Sequence, residues 1–132
     1  MNPVSSDSSA NNHWRDRTAC ARREIKRILK SLPPHLRQQA ATLPVSFERA
    51  PGPALLDDGI APDTLGLFVG GEFASSEQEP IPAQIILFLD NLWDMVEGDW
   101  EAFAVEVRTT YLHELGHYLG LNEDELMDRG LE

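Results

Sequence analysis

Apolar positions recur at helical spacing through Trp14, Ala21, Ile25, Ile28, Leu29 and Leu32. Arg15, Arg17, Arg22, Arg23, Lys26, Arg27 and Lys30 fill the positions between them. The pattern predicts a helix over about 14–30. Pro33-Pro34 stops it, because the residue before a proline is pushed out of the helical region. Pro34 can open a second short helix to about 42. Three strand-like segments follow. Val45-Ser46-Phe47-Glu48 alternates and stops at Pro51-Gly52-Pro53. Leu65-Gly66-Leu67-Phe68-Val69 runs into Gly70-Gly71, a turn or bulge signal. Ile85-Ile86-Leu87-Phe88-Leu89 is continuously apolar, as expected of a strand covered on both faces. Residues 74–83 carry serines, glutamates and prolines and read as a loop at a rim or lid. A helical turn is expected from Trp93 to Val96. The most regular stretch opens at Asp99, a plausible N-cap, and holds no proline and a single glycine, Gly116, up to Leu119. Trp100, Phe103, Ala104, Val107, Tyr111 and Tyr118 lie on one side of it. Gly120 stands where a left-handed residue ends a helix. A last short helix is expected over about 123–129.

The length of 132 residues points to one domain, long enough to bury a core. Apolar residues at 42% and charged residues at 25% are ordinary globular values, which excludes collagen and wholesale disorder. Residues 1–12 are almost wholly polar and are expected to form a disordered tail, with 13–132 as the single domain. The longest strongly apolar run, 85–89, falls far short of the about 20 residues needed to span a membrane. The first residues lack a basic end followed by an apolar stretch, so no secretory signal is read. Cys20 stands alone, so it cannot pair within the chain or build a cysteine-rich zinc site, and a cytoplasmic location is expected. The net charge of −11 is unevenly spread. Residues 1–43 carry eight bases against three acids, and residues 44–132 carry three against nineteen. So acidic a body repels phosphates, and no nucleic-acid partner is expected. The basic side of the first helix reads as a solvated face, or as a docking face for an acidic partner.

The chemistry concentrates in His113-Glu114-Leu115-Gly116-His117-Tyr118-Leu119-Gly120-Leu121-Asn122-Glu123. A spacing of four places the imidazoles of His113 and His117 one helical turn apart on the same face. That suits two nitrogen ligands on one zinc ion. Glu114 is rotated by about 100° from His113, so it lies beside the ion, within reach of a metal-bound water. Zinc lowers the pKa of such a water toward about 7, and a carboxylate can then take its proton. A catalytic site needs a third ligand and an open position. Gly120 lets the chain leave the helix axis, and Glu123 can swing back toward the ion; Asp124 and Glu125 are adjacent alternatives. Tyr118 or Tyr111 could polarise a substrate carbonyl, although each also reads as a core aromatic. Asp90 and Asp128 are candidates to accept the second N–H of a ligating imidazole. Gly66, Gly70 and Gly71 would allow a peptide backbone close to a strand edge, or simply make turns. Gly116 reads as clearance between the helix and the sheet.

This segment resembles the extended HExxHxxGxx(H/D/E) signature of zincin metallopeptidases. From about Asp63 onward, with DTLGLFVGGEF, IILFLDNLWD and VRTTYLHELGHYLGL, the chain is similar to a family of small one-domain bacterial neutral zinc metallopeptidases. The resemblance implies an α+β fold, a minimal zincin-like domain with a small mixed sheet packed on the HExxH helix and helices N-terminal to it. It implies one Zn2+ held by His113, His117 and Glu123, Glu114 as general base, and a peptide or protein substrate. The chain departs from the metzincins in having an acid for the third histidine and too few residues after it for a methionine-containing turn; Met127 reads as core. Two other functions are weighed: a non-catalytic zinc-containing binding or regulatory module, and a metal-dependent endoribonuclease. The second lacks support, because such enzymes have no glutamate directly after the first histidine.

Overall fold

The computed structural model describes the backbone of residues 4–70 and 83–120, with side chains from residue 12 on. The elements run α1 (Val4–Ser31), α2 (Pro34–Ala41), β1 (Val45–Glu48), α3 (Pro53–Asp57), β2 (Gly66–Val69), β3 (Gln84–Phe88), α4 (Leu89–Met95) and α5 (Trp100–Leu119). The expected loop over 74–83 lies, apart from Ala83, outside the described residues, as does the expected helix over 123–129.

Helix α1 differs from expectation at its start. A tail was expected over residues 1–12, but the helix already begins at Val4. No proline or glycine lies between Val4 and Trp14, and each residue added to a formed helix gains a hydrogen bond at little further cost. Its basic face is solvated as expected at Arg15, Arg22, Arg23, Lys26, Arg27 and Lys30. Arg37 on α2 donates to the Leu29, Lys30 and Leu32 carbonyls, which ties α2 to the end of α1. Segment α3 was not expected; five residues opened by Pro53 carry no readable periodicity. The turn expected at Trp93 is the end of α4, which starts directly where β3 stops.

The sheet has the order β1-β3-β2. β1 pairs parallel with β3, and β2 pairs antiparallel with it, so the sheet is mixed. Central β3 carries Ile85, Ile86, Leu87 and Phe88, all buried, which accounts for its unbroken apolar run. Ile85 and Leu87 join a core cluster with Ala21, Ile25, Ile28, Leu32, Phe103, Val107, Tyr111 and Leu115. The core therefore lies between the sheet, α1 and α5, and the architecture is a small mixed sheet packed with helices.

Two ionic ties hold the helices. Glu24 on α1 is 2% exposed, yet it is charged, so it needs partners. Arg108 of α5 donates to it at 2.8 Å, and Arg27 lies at 3.5 Å. At the start of α4, Asp90 accepts from Arg17 at 2.7 Å and Arg49 at 3.3 Å. The same two guanidinium groups lie over Trp93 and Trp14. Asp90, weighed as an acceptor for a ligating imidazole, is thus engaged by arginines of α1 and of the segment after β1.

Helix α5 has both of its expected ends. Asp99 accepts from the Ala102 amide at 3.1 Å, and Gly120 takes φ +71° while closing onto the Gly116 and His117 carbonyls. Gly66 marks a close approach of α5 to β2. A Cβ added there would lie 2.5 Å from Thr110 Cγ2. Gly66→Ala is expected to lower stability by about 1–3 kcal/mol through overpacking. Adding Thr110→Ser, which removes Cγ2, should recover most of the loss in a denaturant titration.

Candidate metal centre

Antiparallel pairing places Gly66 opposite Leu87 and Phe68 opposite Ile85, so Gly66 and Phe68 point to the same side of the sheet as the core cluster. On α5, Thr110, Glu114 and Tyr118 follow one another at a spacing of four and form a row. Thr110 meets Gly66, Glu114 reaches Phe68, and the Tyr118 ring lies 5.8 Å from the Phe68 ring. The helix therefore lies along β2. His113 and His117 form the adjacent row, and both are exposed.

The two imidazoles stand at 84° with centroids 4.8 Å apart, and their Nε2 atoms are separated by 3.3 Å. This distance tests the site for zinc. Two bonds of about 2.0–2.1 Å at a tetrahedral angle require nitrogens about 3.3–3.4 Å apart. The pair fits. The ligand atoms of His113, Glu114 and His117 all lie within 4.8 Å of one another.

Glu114 is held from both sides. Its Oε1 accepts from the Phe68 backbone N–H at 3.0 Å, and its Oε2 lies 3.9 Å from His113 Nε2. Its side chain is 14% exposed, against 50% for His113. The carboxylate is thus partly shielded while the imidazole faces solvent. The Phe68 amide was not singled out in the sequence, because a backbone donor carries no residue-type signal; the only hint was a strand containing Gly66 upstream of the motif.

Of the residues named from sequence, the structure brings together His113, Glu114 and His117. Glu123, its neighbours Asp124 and Glu125, and Asp128 and Met127 lie outside the described residues. Tyr111 is buried at 1% exposure, and that burial pushes its phenol up to about 12. It is a core aromatic, removed from the role of carbonyl donor. Tyr118 is half-buried beside Phe68, on the row next to the histidines. Cys20 is buried in the core cluster, and desolvation pushes its thiol up. Gly116 is buried on α5, and Gly70 takes φ +116° with Ala83 closely opposite.

Residues 40–131 match the family model for zincin-like metallopeptidases. The match spans most of the chain, including the whole sheet and α5, and the chain belongs to that family. No curated protein matches it. Helix α1 lies outside the matched region. No helix among the described residues is long and apolar enough to cross a membrane.

Proposed function

We propose that the protein is a zinc-dependent metallopeptidase that hydrolyses peptide bonds, with His113, His117 and Glu123 holding one Zn2+ and Glu114 as general base. The observation that carries the reading is the 3.3 Å Nε2–Nε2 spacing with a carboxylate oxygen 3.9 Å from one of those nitrogens. Membership of the zincin-like metallopeptidase family supports it. Zinc bound there would supply a Lewis acid and make a water acidic enough to lose a proton near neutral pH.

The rest of the chemistry belongs to the chain. Oε2 of Glu114 faces the imidazole pair, so it is the oxygen that takes the proton of the attacking water and passes it to the leaving amine. In the free protein Oε1 accepts from the Phe68 amide. Half-exposed His113 leaves the site open to a large substrate. The reading keeps the protein in the cytoplasm, where a lone unpaired thiol such as Cys20 stays reduced.

The test is a peptide-library digest of the purified, zinc-loaded protein with and without chelator. Cleavage that chelator abolishes and added zinc restores is the expected result. Zinc binding at one ion per chain without any cleavage would make the protein a zinc-containing binding module instead. Cleavage of RNA alone would point to the endoribonuclease class.

A further inference from the structure

The outer edge of β2 already has an occupant. Leu65 O accepts from Phe88 N at 2.9 Å, which sets the alternation of the antiparallel pair. Leu65, Leu67 and Val69 turn their backbone groups toward β3. Gly66, Phe68 and Gly70 turn theirs away. Among the described residues β2 is an edge strand, and the amide in the middle of that edge, Phe68 N–H, donates to Glu114 Oε1. An extended peptide that adds to a sheet edge pairs its carbonyls with such outward amides. One N–H cannot serve two acceptors well. An amide left unmatched under a docked strand costs more than the bond it lost.

We propose that Glu114 masks the β2 edge in the free protein, and that an extended peptide docks there by displacing Oε1 from the Phe68 amide, so that docking itself releases the general base. The proposal rests on the peptidase reading, and it adds a condition to it. A substrate too short to reach Phe68 leaves the carboxylate tied to the strand. A substrate that pairs with β2 frees the carboxylate to turn toward the imidazoles, whose nearer nitrogen is already 3.9 Å from Oε2. The edge strand then acts on the reaction as a positioning element, through a backbone N–H that every residue but proline would retain at position 68.

The experiment compares zinc-loaded Glu114→Ala with zinc-loaded Glu114→Gln, both without a general base. The probe is a short blocked peptide alternating valine and threonine, with a lysine at each end to suit the acidic body, and its affinity is measured by calorimetry. Glutamine keeps an oxygen that can accept from the Phe68 amide; alanine does not. Glu114→Ala is expected to bind the probe about fivefold more tightly, the worth of one neutral hydrogen bond. The same pair in a Phe68→Pro background should lose the difference, because proline removes the contested N–H at an edge position that tolerates it. The first comparison stands even where the proline variant does not fold. In 15N spectra, the Phe68 amide should shift on Glu114→Ala without peptide, and shift again when peptide is added. Equal affinities, tighter binding by Glu114→Gln, or a probe that binds neither variant would overturn the proposal. Hydrolysis persisting in Glu114→Gln would instead remove Glu114 as the general base, and absence of chelator-sensitive cleavage by the wild type would overturn the peptidase reading; either leaves the affinity ratio to be read on its own.

Discussion

Glu114→Gln is expected to lower peptide hydrolysis by a factor of about 10²–10⁴, the usual contribution of a positioned general base, while zinc content stays at one ion per chain. The substitution is nearly isosteric. Its amide oxygen can still accept from Phe68 N–H, so the folded stability should change little. What is lost is a group able to take a proton from water beside His113 and His117. Metal analysis, thermal melting and a cleavage assay on the same preparation separate these effects. Full activity in the variant removes Glu114 from the mechanism. Loss of metal together with activity makes Glu114 a ligand and not a base.

His113→Ala is expected to abolish stoichiometric zinc binding and, with it, the stabilisation that zinc gives the wild type. A ligand that binds only the folded state stabilises it by RT ln(1 + [L]/Kd), about 2.7 kcal/mol when the free ion stands at a hundred times Kd. The wild-type melting temperature should therefore rise with added zinc, and that of the variant should not. His113 is half exposed, so its truncation opens no core cavity, and the metal-free melting temperatures of the two proteins should lie close together. A variant that still gains stability from zinc would place the ion elsewhere. His117→Ala should behave in the same way, since its Nε2 stands 3.3 Å from that of His113.

The histidine pair was legible in the sequence because it depends only on helix periodicity. A spacing of four on a helix capped by Asp99 and closed by Gly120 brings the two rings together wherever the helix sits. The three strands were legible for a similar reason, from alternation in β1 and from an apolar run in β3 flanked by breakers. Contacts between distant segments were not. Phe68 and Glu114 are 46 positions apart, and only the register of β2 on β3 turns the Phe68 amide outward to meet the helix. Glu24 sits among seven bases of α1, and nothing in the sequence marked it as buried. Its burial became visible only when α5 brought Arg108 against it. Asp90 looked like a free carboxylate near the motif, but the chain had already spent it on Arg17 and Arg49.

Helix α1 ends up inseparable from the part of the chain that defines the family. Its Ala21, Ile25 and Ile28, with Leu32 just past its end, pack in one cluster with Phe103, Val107, Tyr111 and Leu115 of the helix that carries the histidines. The region matched by the family model, residues 40–131, is thus smaller than the packed core. A fragment trimmed to that region is expected to present an apolar flank and an Arg108 without Glu24 to water, and to aggregate. Helix α1 therefore covers a flank of α5 that the family-matched region alone would leave bare.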